Sequence, residues 1–353
     1  MTMSHAIGRE ARTTGGRVVG VVSCVPAKVR GNDDFVDTFG EAGVADVVKL
    51  IGVQSRRQVE GDTTTRDLCR SAADTLLKGL SWDAGSVDAL IFVSQTPDFR
   101  LPPTACALQA DLGVGPACIA FDINLGCSGY PYALWLGMTM IQTGAARRVL
   151  LAVGDTISRI VDPGDRATAL LFGDAGTVTA LEASDDAGAC HFVLGSDGQG
   201  VKNLIVPTGG FRDYMACGDS RLQGRAGNAL YMDGGEIFNF TLRAVPPLVA
   251  RTVELGSADG RQPDYYLFHQ ANQFMLKHLI KKAKLSPEQA PLNIDEFGNT
   301  SSASIPLLIT TKLKATLREQ AHRLALFGFG VGYSWASACL DIGPLRVVDT
   351  IEV

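Results

Sequence analysis

Short runs of valine, isoleucine and leucine alternate along this chain with longer stretches in which apolar positions recur every three or four residues. The first kind of segment is strand-like and the second helix-like, and their alternation marks an α/β layered protein. Strands are predicted at 17–25 (RVVGVVSCV), 87–95 (VDALIFVSQ), 118–124 (CIAFDIN) and 147–155 (RRVLLAVGD). The segment 168–184 (TALLFGDAGTVTALEAS) predicts two more, around a turn at Gly173 to Gly176. Near-continuous apolar runs of this kind suit strands covered on both faces. Helices are predicted at 63–80, 101–113 and 130–144, the first capped by Asp62 or a neighbouring threonine and the third closed by Gly144. The Gly-rich span from Gly188 to Gly235 reads as a loop-rich insertion, and residues 1–16 as a flexible tail.

The second part of the chain repeats the first. PDYYLFHQANQ (263–273) echoes VDALIFVSQTPD as an apolar strand followed by a polar corner that carries glutamine. APLNIDEFGNTSSASIPLLI (290–309) echoes GPACIAFDINLGCSGYPYAL as strand, glycine corner and helix, and RLALFGFGVGYSWASACLDI (323–342) echoes the Gly-punctuated strands of 147–180. The shared order predicts two pseudo-equivalent α/β halves, residues 17–185 and 186–353. A site built by two such halves lies between them, at the carboxyl ends of their strands.

Composition narrows the function classes. With 46% hydrophobic and 20% charged residues over 353 positions, the chain can bury a large core. A net charge of −5 gives no long-range attraction to nucleic acid or anionic lipid. The eight cysteines are scattered singly through apolar contexts, with no metal-spaced CxxC pair, which predicts reduced thiols, no metal and a cytoplasmic location. No stretch has the length of a membrane span, and the first residues lack the apolar core of a signal peptide.

Three corners face the expected cleft: Cys127 in DINLGCSGY, His269 in FHQAN and Asn299 in EFGNTSSAS. Cys127 stands just ahead of a helix start, where free N–H groups and the helix dipole favour thiolate over thiol. Gly126, Ser128 and Gly129 leave room for a substrate carbonyl to approach. A neutral histidine and an asparagine can together donate hydrogen bonds to one carbonyl oxygen, as an enolate requires. Each alone has a plainer reading: a buried cysteine in a turn, a structural histidine, an asparagine that caps a helix. Their placement on matching corners favours the catalytic one.

These stretches, together with GFGVGYSW (328–335), DRATALLFGDAG (165–176) and YMDGGEIF (231–238), resemble the signature segments of the ketoacyl-acyl-carrier-protein synthase III family. The resemblance runs from about Arg17 to Ile342 and keeps the family's order. It implies a five-layered αβαβα thiolase-like fold, a homodimer, and substrates carried as thioesters of coenzyme A or acyl carrier protein, with no permanently bound cofactor. It also implies Cys127 as nucleophile, His269 and Asn299 as donors to the malonyl thioester carbonyl, and the Cys127 and Val331 N–H groups as oxyanion hole. Phe172, Met232 and Phe329 would line the acyl tunnel, and Leu101 would reach across the two-fold axis to close the partner's tunnel. Arg166 matches a family arginine near the coenzyme A phosphates.

The chain departs from the family at the entrance. Asp46 and Leu50 stand where coenzyme A-using members carry a tryptophan and an arginine around the adenine. Phe274 replaces an arginine used for carrier docking, and Lys277 and Lys281 follow on the same helix as substitutes or as an ordinary solvated face. Leu125–Gly126 replaces two alanines. The favoured activity is decarboxylative Claisen condensation of an acyl-thioester with a malonyl-thioester. The alternative is transfer of the acyl group from Cys127 to an alcohol or amine, with His269 as base. A non-catalytic partner subunit is the third reading, against which the intact Cys–His–Asn set argues.

Overall fold

A computed structural model describes residues 7–353. One sheet has six strands in the order Val347–Glu352, Gly16–Val25, Ala175–Ala183, Arg148–Asp155, Ala89–Val93 and Ile119–Ile123. The other has five, in the order Arg9–Thr13, Cys190–Ser196, Ser334–Ile342, His322–Gly330 and Tyr265–Phe268. Ala89–Val93 runs parallel to both its neighbours, as Tyr265–Phe268 does to His322–Gly330. The pairs that follow are antiparallel, from Arg148–Asp155 across to Gly16–Val25 in the first sheet and from His322–Gly330 across to Arg9–Thr13 in the second. The outermost strand of the first sheet, Val347–Glu352, runs parallel to Gly16–Val25. Four strands of each sheet therefore share one construction, Gly16–Val25 through Ala89–Val93 in the first and Cys190–Ser196 through Tyr265–Phe268 in the second. Ile119–Ile123 has no counterpart among the described residues, and the outer edge strands pair with opposite sense.

Helices cover both sheets on both faces. Thr65–Leu80 lies on the outer face of the first sheet, Gly129–Gln142 and Ser304–Lys312 lie between the sheets, and Gly234–Gly256 covers the second. The result is the αβαβα stack. Residues 149–153 are completely buried, which is why an unbroken apolar run could form that strand. Helix Thr65–Leu80 touches one sheet only and is correspondingly one-sided, burying Leu68, Ala72, Leu76 and Leu80. A capping box of Thr64 and Asp67 starts it. Helix Gly129–Gln142 meets both sheets and is apolar nearly all round, with Tyr130, Leu134 and Met138 buried. Its Pro131 falls in the first turn, where no intrahelical N–H bond is lost.

Several expectations are corrected. Within the segment read as a flexible tail, residues 1–6 lie outside the described residues, but Arg9–Thr13 is an edge strand paired antiparallel with Cys190–Ser196. Its short, charged sequence carries no strand signal. It is held by ladder bonds and by the bidentate Glu10–Arg251 pair, contacts made far along the chain. The last strand, Val347–Glu352, joins the first sheet beside Gly16–Val25, so the two ends of the chain cross between the halves. Segment 168–184 is not two strands: a short helix, Arg166–Ala169, leads through a corner into the single strand Ala175–Ala183. Segment 290–298 is not a strand either but the helical turn Ile294–Phe297, whose two end residues, three apart, both face the core. The supposed insertion 188–235 contributes strand Cys190–Ser196 at its start and is otherwise irregular apart from short turns and one two-residue strand pairing.

Candidate active site

Cys127 occupies the corner between strand Ile119–Ile123 and helix Gly129–Gln142 and is 8% exposed. Strand His322–Gly330 presses against it so closely that a β-carbon on Gly330 would lie 2.9 Å from the sulfur. Only glycine can pass there. His269 follows strand Tyr265–Phe268; its N–H donates to the Phe327 carbonyl at 2.8 Å and its Nδ1 lies 2.8 Å from Ser304 Oγ. Asn299 is fixed through its backbone, its N–H donating to Leu171 O at 2.9 Å and its carbonyl accepting from Gly173 N at 3.1 Å. Its side chain is oriented as well: Oδ1 accepts from Ser301 N at 2.9 Å and Nδ2 donates to Ala271 O at 3.3 Å. Cys127, His269 and Asn299 border one small cavity of about 70 Å³. The structure thus brings all three corner residues together from separate parts of the chain.

The electrostatics depart from expectation at the sulfur. Burial, and then the nearby Asp155 carboxylate, push the Cys127 thiol up to about 12, not down. The helix does not begin until Gly129, after Ser128 as N-cap, so enclosure outweighs the helix field. Three groups act in the opposite direction: the Ser301 hydroxyl, 4.0 Å from Sγ, and the N–H groups of Cys127 and Val331. Burial pushes His269 down to about 3, so the imidazole is neutral across the physiological range.

Sequence reasoning missed Asp155. It ends the apolar strand LLAVGD and is completely buried, and burial raises its carboxyl above the usual range. Its oxygens accept from Gln95 N at 2.7 Å, Ser94 Oγ at 3.1 Å, Ser302 Oγ at 2.7 Å and Ser302 N at 3.3 Å. One carboxylate therefore ties the corner after Ala89–Val93 to the loop of Asn299. That loop is bent at Ser301, whose φ of 50° is rare for a residue with a side chain. An acid closing an apolar strand was the available signal.

A wider cavity of about 410 Å³ opens on another side of Cys127, walled by Ile157, Leu204 and Leu230. Phe172 borders both cavities, whereas Met232 and Phe329 border the smaller one, beside His269 rather than in the wider space. Leu101 lines neither and is 79% exposed on the surface. Arg166 is exposed, its guanidinium lying against Gly43 on helix Glu41–Ile51, where Asp46 and Leu50 also face outward. Helix Gln273–Lys282 turns Met275 toward the small cavity and exposes Phe274, Lys277 and Lys281. The Phe274 ring lies tilted against Phe238, their centroids 5.6 Å apart. Among the described residues no cluster of His, Cys, Asp and Glu has a metal-binding arrangement, and no helix is long and apolar enough to cross a membrane.

Comparison with known proteins agrees with this geometry. The family model for 3-oxoacyl-[acyl-carrier-protein] synthase III matches residues 121–198, and the model for its C-terminal part matches 258–342. The beta-ketoacyl-[acyl-carrier-protein] synthase III of Xanthomonas campestris is 34% identical over 327 residues, 92% of this chain and 97% of that one. The enzyme of the same name from Neisseria meningitidis is 33% identical over 328 residues, 92% and 98% of the two chains. Among solved structures, a 3-oxoacyl-(acyl-carrier protein) synthase from Burkholderia xenovorans superposes with a TM-score of 0.96 at 62% identity, covering 98% of this chain and 99% of its own. The synthase III of Pseudomonas aeruginosa gives 0.81 at 30% identity, covering 93% and 98%. With relatives of this identity and coverage, and with the same layered fold, the chain belongs to the beta-ketoacyl-[acyl-carrier-protein] synthase III family of thiolase-fold condensing enzymes.

Proposed function

We propose that this acyltransferase works through Cys127, His269 and Asn299 in two half-reactions. In the first, the Cys127 sulfur attacks the carbonyl of an acyl-thioester; the new C–S bond forms as the old one breaks, and the thiol's proton leaves on the departing thiol. The N–H groups of Cys127 and Val331, which already bear on the sulfur, receive the oxyanion. Because the resting thiol is held protonated, the thiolate forms at the moment of attack. In the second, a malonyl-thioester in the small cavity loses carbon dioxide, and His269 and Asn299 donate to the enolate oxygen. The enolate carbon attacks the acyl carbonyl, a C–C bond forms, and Cys127 is released to take up a proton. The observation that carries this reading is the convergence of three separately anchored corners on one cavity.

The wider cavity suits the acyl chain. Arg166, exposed beside helix Glu41–Ile51, suits the phosphates of coenzyme A, although Asp46 and Leu50 offer no stacking platform for its adenine. Phe274, Lys277 and Lys281 form the face on which an acidic carrier protein would dock. A homodimer is favoured by the edge strand Ile119–Ile123, unpaired on one side among the described residues, with Ile119 at 43% exposure and Phe99 and Leu101 exposed as well. Eight free cysteines fit a reducing cytoplasm. Intact-mass measurement after incubation with a panel of acyl-thioesters tests the first half-reaction. A single adduct on the Cys127 peptide, followed by carbon dioxide release from malonyl-thioester, is the expected outcome. An adduct on Cys106 or Cys118 overturns the nucleophile.

A further inference from the structure

We infer that Gln95 is a specificity-determining residue that selects acyl groups bearing a hydroxyl on the carbons nearest the thioester. The inference rests on the reading of Cys127 as the acylated residue. Gln95 lies in the corner after strand Ala89–Val93, and its backbone N–H is held at 2.7 Å by the buried Asp155. Its carboxamide is laid over Gly126, the residue before Cys127: a β-carbon on Gly126 would meet Gln95 Oε1 at 2.3 Å. The departure of Gly126 from the family's alanine thereby acquires a cause, since a methyl group there would displace the amide.

The amide borders the 410 Å³ cavity together with Cys127 and a second amide, Asn124. Among the described residues neither amide side chain has a hydrogen-bond partner; the Ser301 hydroxyl, 4.0 Å from the Cys127 sulfur, is the remaining polar group of the lining, and the walls at Ile157, Phe172, Leu204 and Leu230 are apolar. An unsubstituted alkyl chain filling this space would displace water from the Gln95 amide and leave its donor and acceptor unmet, which costs free energy. A hydroxyl-bearing chain does not have that cost, because a hydroxyl both donates and accepts. The amide sits beside the residue next to the nucleophile, so the substituent it meets is close to the thioester and not at the chain's far end.

The experiment offers the wild-type enzyme equal amounts of the N-acetylcysteamine thioesters of butyrate and of each enantiomer of 3-hydroxybutyrate. Early loading of Cys127 is read from intact mass. One hydroxybutyryl enantiomer is expected to load roughly tenfold faster than butyryl, the factor that one hydrogen bond of ordinary net strength supplies. In Gln95→Met, which keeps the length without the amide, the ratio is expected to fall to about one. Equal or faster loading of butyryl by the wild type overturns the inference while leaving the acyl-enzyme reading intact. A hydroxyl preference that survives in Gln95→Met also overturns it. If none of the thioesters reaches Cys127, the acyl-enzyme reading fails and takes this inference with it.

Discussion

The two halves carry the same corner and use it differently. In each, a parallel strand ends next to the neighbour that begins the antiparallel part of its sheet, and a polar pair ending in glutamine follows: Ser94–Gln95 after Ala89–Val93, His269–Gln270 after Tyr265–Phe268. In the second half Gln270 is wholly buried, its Nε2 donating to Phe268 O at 2.9 Å and its Oε1 accepting from Asn293 N at 3.2 Å. That glutamine is spent on the fold, and its neighbour His269 faces the cavity. In the first half the roles are reversed. Ser94 is bound to Asp155 and buried, and the Gln95 amide is left at the cavity wall without a partner among the described residues. Repetition of the scaffold therefore does not repeat the chemistry; what differs is which side chain the local hydrogen bonds leave free.

The largest effect that could break this comparison lies in the second half. If its corner serves the enolate, His269→Ala and Asn299→Ala should lower condensation on the order of a hundredfold or more each, the cost of losing one donor to a developing oxyanion. Acylation of Cys127 should persist in both if the Cys127 and Val331 N–H groups receive the first oxyanion, since neither substitution removes them. Paired measurement of adduct formation and carbon dioxide release checks this. Loss of acylation with normal decarboxylation would reverse the assigned roles of the two corners.

Next in size is the pH response. With the thiol pushed up to about 12, the reactive thiolate fraction is small at neutrality and grows about tenfold for each unit of rising pH. Iodoacetamide alkylation of Cys127 should therefore climb from about pH 7 to about pH 10 without a plateau. A plateau near neutrality would mean that the helix start, not burial and Asp155, governs the sulfur. His269 responds with the opposite sense. Its folded value of about 3 lies below the unfolded 6.5, so the stability it contributes is complete above 6.5 and is lost as pH falls toward 3. His269→Gln should shrink the acid-side fall in melting temperature across that window.

The fold and the three corners were legible because their signals are local. Unbroken apolar runs mark strands buried on both faces, and Cys127, His269 and Asn299 each stand where such a segment or its glycine gives way to a helix. What escaped depends on distant partners. Arg9–Thr13 is a strand only because Cys190–Ser196 and Arg251 hold it. Asp155 matters because Ser302, 147 residues further on, donates to it. The direction of the Cys127 shift follows from enclosure, which no spacing rule reports. Ile294 and Phe297, three apart, were a readable helical signal that the expected repeat of 118–124 overrode.

A smaller effect separates the two glutamines by stability. Gln270→Leu strands a buried carbonyl and a buried N–H, at a cost of roughly 2 kcal/mol, and should lower the melting temperature by a few degrees. Gln95→Met removes no hydrogen bond and should leave it nearly unchanged. Equal destabilisation would show that the Gln95 amide is also structural.

The smallest expected change concerns a residue that the single chain leaves in solvent. Leu101, at 79% exposure, is useless to its own core and lines neither cavity, so packing at the start of its own helix does not account for it. Its segment is nonetheless anchored: Thr104 N and Ala105 N both donate to Asp122 at 2.7 Å, and Arg66 pairs with Asp98 at 2.8 Å. A fixed loop presenting an apolar tip suits insertion into a second copy. If that tip closes the partner's wider cavity, Leu101→Trp should shorten the range of acyl groups loaded onto Cys127. The proposed dimer and the melting temperature should hardly move, because no packing within the chain is disturbed. A panel of thioesters of increasing chain length, run beside size-exclusion chromatography, reads both. An unchanged acyl range would confine the acyl pocket to the walls one chain supplies; a dissociated dimer would make Leu101 part of the interface alone.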